Sequence, residues 1–236
     1  NHALLNYTGQ HQWYTVQGGS QEYVQRLEVA LVNRGVNVRL KTPISSVIRH
    51  EGHVEIRSAK QPPEYYDEVV FATHSDDSLR LLADPSTFEA QALGAVQYQP
   101  NSITLHCDDN IMPKRRSCWS SWVYTETDEK ISDQIDLTYW MNSLQPIPME
   151  DPHFVTLNST RPIREDKIYD QVTLHHPVYD LEALAAQEKI TTLNGTNRTW
   201  FCGAWMKNGF HEDGLYSGFD VAQSIILKSA LAVAAE

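Results

Sequence analysis

The residues best suited to chemistry lie near the end of the chain. Trp200-Phe201-Cys202-Gly203-Ala204-Trp205 is followed by Gly209-Phe210-His211-Glu212-Asp213-Gly214-Leu215 and then an apolar stretch. The pattern reads as strand, loop and helix. A helix start leaves its first amides without intrahelical acceptors and carries roughly half a positive charge, so it stabilises an anion or a flat, negatively charged ring. Gly203, Gly209 and Gly214 would let such a ring come close to the backbone. A plainer account, in which these glycines only shape turns, stands beside it. His211-Glu212-Asp213 also suggests metal ligation, but adjacent side chains at a helix start rarely converge, and Asp213 reads better as a helix cap.

Other candidates have plainer readings. His175-His176 before Pro177 reads as a strand end whose two rings face opposite sides and cannot share one ion. Lys114-Arg115-Arg116 reads as a solvated loop. Trp119, Trp122 and Trp140 could line a substrate pocket or pack a sheet. No Gly-x-Ser-x-Gly elbow is present, so a hydrolase has no support. No metal site is expected, and no catalytic side chain can be named.

The elements that must position the loop follow from local signals. Gly18-Gly19 ends an extended segment, Ser20 can cap a helix, Glu22 and Arg26 stand one turn apart, and Val24, Leu27 and Leu31 form the stripe that would be buried. Gly35 suits a left-handed C-terminal cap, and Val36, Val38 and Leu40 alternate as a half-buried strand would. A hairpin is expected from Pro43–Ile48 and Val54–Ile56, with Glu51-Gly52 at its turn and Pro62-Pro63 breaking the pattern after it. Val69-Val70-Phe71-Ala72 is apolar throughout, as in a strand covered on both faces. Residues 77–93 look helical. From Gln97 to His176 five strands of an antiparallel sheet are expected, around Ile103, Trp119–Tyr124, Ile135–Met141, Phe154–Leu157 and Val172–Leu174. Asp180 caps a helix over 181–193, Gly195 ends it, Thr199–Gly203 is a last strand, and the final helix starts near Gly214.

Bulk properties limit the partners. The 236 residues include 30 acidic and 19 basic ones, for a formal charge of -11, which repels nucleic acid and anionic lipid. There is no run of about 18 apolar residues, so no membrane insertion is expected. Cys107, Cys118 and Cys202 are odd in number and widely spaced. They give neither a disulfide framework nor a metal pair, and a cytoplasmic location fits best. The chain opens at Asn1-His2-Ala3-Leu4-Leu5, without Met, as the interior of a longer, here truncated, polypeptide would.

The Gly203–Gly214 segment resembles the C-terminal FAD signature of the flavin-containing amine oxidase-like proteins. Gly18-Gly19 before a helix, Pro43-Ile44 with Val47-Ile48, and Asp67-Glu68-Val69-Val70-Phe71-Ala72-Thr73 resemble, in order, the family's middle FAD-binding segment. Leu105-His106-Cys107-Asp108, Met112-Pro113, Tyr139-Trp140-Met141-Asn142 and His176-Pro177-Val178-Tyr179-Asp180 resemble a bacterial branch described only as NAD/FAD-binding. The resemblance covers the whole chain. It implies an α+β fold with an incomplete α/β FAD-binding lobe (16–76 and 197–230) and a substrate-binding domain with an antiparallel sheet (1–15 and 77–196). It also implies noncovalent FAD, contacted by Ile44, Gly203, Ala204, Phe210, His211 and Gly214, with Phe210 before the flavin ring.

The family's Gly-x-Gly-x-x-Gly pyrophosphate loop does not occur here. The resemblance therefore implies, as partners, a small-molecule substrate and a missing N-terminal segment of the same polypeptide, and an isolated chain without activity. The implied reaction is hydride removal from an apolar amine or lipid-like substrate. The alternatives are a lipid desaturase or isomerase of the same family, or a noncatalytic binding module. The amine oxidases usually carry a lysine on the first strand of the substrate sheet; Ser102-Ile103-Thr104-Leu105-His106 has none, which favours the desaturase or isomerase alternative.

Overall fold

The computed structural model describes residues 8, 14–59, 61–126 and 135–234, with side chains placed as far as 231. Its architecture is α+β. The chain divides into two compact units, residues 1–38 with 100–176 and residues 39–99 with 177–236. These boundaries differ from the expected division. Residues 16–38 fall with the antiparallel sheet, and 77–99 and 177–196 fall with the unit that holds the Gly203–Gly214 loop.

In the first unit, α1 (Gly19–Val32) carries the expected Glu22–Arg26 pair at 2.6 Å. Its start differs from expectation. Gly18, at φ 90°, is the N-cap, and Ser20 lies inside the first turn. At the other end Gly35 has φ 81°, its N–H donates to the Val32 carbonyl, and that of Val36 donates to Leu31. This is the paired closure of a glycine-terminated helix. The expected buried stripe is exposed at Val24 and Leu27, and residues 36–40 form no strand. Amphipathic spacing marks a face suited to burial; here no described element covers it.

The five expected strands do form one sheet. In chain order they are β5 (Gln97–His106), β6 (Trp122–Thr125), β7 (Asp136–Trp140), β8 (Phe154–Leu157) and β9 (Ile168–Val178), arranged β6-β7-β8-β5-β9. The β5/β8, β7/β8 and β6/β7 pairs are antiparallel. A short helix, α4 (Met141–Leu144), follows β7. Trp119 packs edge-on against Trp140 and Phe154, which is the packing role for the tryptophans. Across the middle of the sheet runs a buried polar line in which the His106 ring, the Thr156 hydroxyl and the Thr138 hydroxyl are joined at 2.7 and 2.9 Å. His106 Nδ1 accepts the Asp108 N–H, so the ring proton sits on Nε2, facing Thr156. Burial pushes the His106 pKa down against an opposing pull from Asp108. The imidazole is held neutral.

The second unit begins with β1 (Ile44–Arg49), β2 (Val54–Ser58) and β3 (Gln61–Tyr66), an antiparallel sheet in that order. Pro62 and Pro63 do not end the pattern; they lie inside β3. Proline is tolerated there because β3 is an edge strand and the ladder shifts register between Ile56 and Ser58, where the prolines fall. Next come β4 (Val69–Phe71), α2 (Ser75–Leu81) and α3 (Thr87–Gly94), so the expected single helical stretch is two helices. Val69 and Phe71 of β4 are buried but Val70 is exposed, so the strand is covered on one face only. After the first unit's excursion come α5 (Leu181–Leu193), capped by the Asp180 carboxylate on the Ala183 N–H as expected, then β10 (Thr199–Phe201) and α6 (His211–Ala234). β10 pairs in parallel with β4. The core joins Val47, Val54, Phe71, Leu93, Ile190 and Phe201.

One ion pair in this unit is enclosed. The Arg49 and Glu89 side chains are 4% and 3% exposed. The Glu89 carboxylate receives Arg49 Nη1 and, at 3.0 Å, Nη2, and it closes the capping box of α3 by accepting the Ser86 N–H at 2.8 Å. Burial pushes its carboxyl up, but the Arg49 and Ser86 bonds together outweigh that and hold it below the usual carboxylate value.

Replacing Glu89 by Ala strands the enclosed guanidinium and removes a helix cap, so urea denaturation should show a loss of about 3 kcal/mol. The low end of the range is expected because Arg49 also bonds Asp84. For His106 the folded pKa lies below the ordinary 6.5. The unfolded chain therefore binds the proton more readily, and the cost of keeping His106 neutral appears as pH falls through 6.5 and grows below it. His106→Asn should flatten the wild-type decline in denaturation midpoint between about pH 7 and 5; an unchanged slope would exclude this assignment.

Candidate functional site

The loop singled out from sequence hangs from the parallel β4/β10 pair. Thr199, Trp200 and Phe201 sit opposite Val69, Val70 and Phe71, so the exits of both strands lie side by side. Trp205 Nε1 donates to the Thr73 carbonyl at 2.9 Å, which ties the turn after β10 to the turn after β4. Trp200 Nε1 donates to Glu68 Oε2, and Lys228 of α6 donates to the other oxygen. Burial pushes the Glu68 carboxyl up, but its Lys228 and Trp200 partners outweigh that and leave it below the ordinary value.

Within the loop the expected residues divide into a cluster and an outlier. Gly203 and Ala204 form the turn after β10. Phe210, half-buried, directly precedes α6, exposed His211 opens it, and Gly214 lies in its first turn with its Cβ position 3.6 Å from Ala204 N. The Gly209 N–H bonds the Ala204 carbonyl at 3.0 Å. Ile44, by contrast, is the first residue of β1, on the separate three-stranded sheet. The helix begins at His211, three residues before the expected start at Gly214. Asp213 does cap it, but as a residue of the first turn reaching back to the Phe210 N–H at 3.0 Å. That leaves the first-turn amides of the exposed residues His211 and Glu212 outside the intrahelical ladder, which starts with Gly214 N–H to Phe210 O.

Gly203 and Gly209 each have a neighbour inside the protein that accounts for them. Gly203 has φ 145°, and a Cβ there would lie 2.8 Å from Trp205 Nε1; at Gly209, with φ 89°, it would lie 2.8 Å from the Tyr179 hydroxyl. That hydroxyl is buried without a hydrogen-bond partner. Burial, helped by Tyr98 and Asp213, pushes its pKa up to about 12, so it stays a neutral donor. Sequence reasoning also missed Ser217. Its hydroxyl accepts the Gly203 N–H at 2.9 Å and faces the Gly203 and Gly214 carbonyls at 3.1 and 3.0 Å. A serine one turn after Gly214 in an apolar helix was the available signal.

Of the other candidates, His176 Nδ1 meets Asn101 Nδ2 at 2.9 Å on β9. Lys114, Arg115 and Arg116 are exposed, with Arg116 over the Trp119 ring at 5.2 Å. All three cysteines are free thiols. Among the described residues, His74, Asp76 and Asp77 bring potential ligand atoms within 4.8 Å of one another at the surface, a cluster not anticipated from sequence. Among the described residues no helix is long and apolar enough to cross a membrane.

Comparison with known proteins agrees with this architecture. Residues 2–157 match the family of flavin-containing amine oxidoreductases. No curated protein matches the sequence. Among solved structures, an Exiguobacterium sp. 255-15 protein assigned as a protoporphyrinogen oxidase is similar with TM-score 0.67 and 15% identity, over 95% of this chain and 54% of that one. The fatty acid isomerase from P. acnes that produces CLA is similar with TM-score 0.61 and 16% identity, over 87% and 52%. Cyclohexylamine oxidase from Brevibacterium oxydans IH-35A gives 0.61 and 11%, over 90% and 53%. At these identities the likeness is one of fold, and the chain spans about half the length of each.

Ser217→Ala leaves the Gly203 N–H unpartnered beneath the loop. Thermal or urea unfolding should show a loss of about 1–3 kcal/mol, whereas Ser217→Thr, which keeps the hydroxyl, should recover most of it.

Proposed function

This chain belongs to the flavin-containing amine oxidoreductase family, and we propose that it is the C-terminal part of an FAD-dependent oxidoreductase that removes hydride from an apolar amine or lipid-like substrate. The observation that supports the reading is the turn from β10 into α6, where the first-turn amides of the exposed residues His211 and Glu212 and the positive end of the helix dipole adjoin half-buried Phe210. These residues fit a flavin. A flat ring asks for backbone donors, an apolar neighbour and no bulky side chain between them. Asp213 and Glu212 in the first turn temper the positive end of the helix, so the amides rather than net charge are the attractive element.

In this reading Gly203, Ala204, Phe210, His211 and Gly214 hold the ring end of noncovalent FAD, and Ile44 contacts its adenine. Bound flavin supplies the hydride acceptor. The chain's own residues orient, exclude water and stabilise charge. Ser217 and Trp205 keep the loop in one conformation. Phe210 gives an apolar wall, and Tyr179, neutral across the accessible pH range, keeps the underside of Gly209 uncharged. The substrate is assigned to the antiparallel sheet of the first unit. Two observations favour a second reading, desaturation or isomerisation of a lipid: the absence of lysine from Ser102–His106 and the presence of a fatty acid isomerase among the similar structures.

The test is spectroscopic. The full-length polypeptide that contains this chain should purify with, or take up, one flavin that denaturation releases, and Phe210→Ala should weaken its retention. The isolated 236-residue chain should not bind FAD stoichiometrically, since affinity is divided between the two halves of the site. A full-length protein that stays colourless after incubation with FAD would sink the reading. Oxygen uptake with apolar amines separates amine oxidation from lipid chemistry.

A further inference from the structure

The first unit contains a cavity of about 480 Å³, within the range of small-molecule sites. Its wall is built from β5, β9 and the loop after β8, through Ser102, Thr104, Asn158, Thr160, Arg161 and Gln171. Ile163 and Ile168 add an apolar side. The polar groups are held in place by one another. Gln171 Nε2 bonds Thr104 Oγ1 at 3.2 Å, the Ser102 N–H bonds Asn158 Oδ1 at 3.0 Å, and Thr160 gives both its N–H and its hydroxyl to Asp136 Oδ2.

Among the described residues Arg161 is the one charged residue of the cavity wall. Its Nη2 is fixed by the Ile111 carbonyl and by Thr125 Oγ1, while its Nε is buried with no hydrogen-bond partner. Among the described residues no carboxylate forms an ion pair with it, although the chain carries 30 acidic residues. Asp136 does not line the cavity. A half-buried guanidinium that is positioned, incompletely satisfied and without an ion-pair partner among the described residues is suited to a carboxylate supplied from outside. An ammonium would meet repulsion there instead.

We propose that this cavity binds the carboxylate of an acidic small molecule, with Arg161 as its counter-charge and Ser102, Thr104 and Gln171 as neutral hydrogen-bonding partners. Calling that molecule the substrate rests on the flavoenzyme reading; the carboxylate site itself does not. It turns the open choice between amine and lipid-like substrates toward an acid with an apolar body.

The probes are octanoate, octanol and octylamine, titrated calorimetrically into the full-length polypeptide. Octanoate should bind at least about tenfold more tightly than octanol, and octylamine more weakly than either. Arg161→Gln should abolish the preference for octanoate over octanol, and Arg161→Lys should restore part of it. Flavin content should stay unchanged in both variants. Equal binding of octanoate and octanol to the wild-type protein overturns the proposal, as does an Arg161→Gln protein that folds and still prefers octanoate. Should Arg161→Gln not fold, the wild-type ratio decides alone. A colourless protein with Arg161-dependent octanoate binding would refute the flavoenzyme reading and leave this site standing.

Discussion

The second unit depends on a three-rung parallel pairing between β4 and β10. Trp205 and Thr73, which meet just beyond it, are 132 residues apart in sequence. Closing so long a loop costs entropy that three backbone rungs alone do not offset. The pairing is reinforced by burial of Phe71 and Phe201 in the common core, by the stacking of their rings at 5.5 Å, and by the hydrogen bond from Trp205 to Thr73. Once these are in place, the chain leaves β10 in only one direction, and the start of α6 is fixed relative to the strand ends.

The loop between β10 and α6 is then specified from inside the protein. Gly203 and Gly209 lack side chains because Trp205 and Tyr179 occupy the space a Cβ would enter, whereas at Gly214 a Cβ would meet Ala204 at ordinary van der Waals distance. Ser217 takes up the polar groups of Gly203. The turn and packing account of these glycines is thus sufficient for the loop's shape. It does not compete with a ligand role, since a loop held rigid from behind presents its outer surface already organised. At the start of α6 stand half-buried Phe210 and the exposed residues His211 and Glu212.

The first unit places its polarity differently. The line from His106 through Thr156 to Thr138 is satisfied internally, so it specifies strand register without offering a site. Arg161 is the contrasting case, with its position set by Ile111 and Thr125 and its charge without an acidic partner among the described residues. Buried charge is normally paired. That this cation has no acidic partner among the described residues, in a chain with a surplus of acids, is what suits the cavity wall to an external anion.

Sequence alone determined most elements. The hairpin around Glu51-Gly52, the five strands of the sheet, the Asp180 cap, the Gly35 helix end and the strand, loop and helix of the last segment follow from turn chemistry, capping and period, which act within a few residues. The family resemblance, carried by motifs along the whole chain, was likewise legible in the sequence, and the family match falls on residues 2–157. Where sequence failed, the deciding contact was distant. Pro62 and Pro63 fit a strand because β3 is an edge. The stripe of α1 is exposed because spacing announces a face without supplying its cover. Residues 77–99 and 177–196 joined the loop's own unit through packing no local pattern encodes. The Ser217 clasp, the unpartnered Tyr179 hydroxyl and the Arg161 cavity are products of tertiary structure, since each depends on groups brought together only after β4 meets β10 or β5 meets β8.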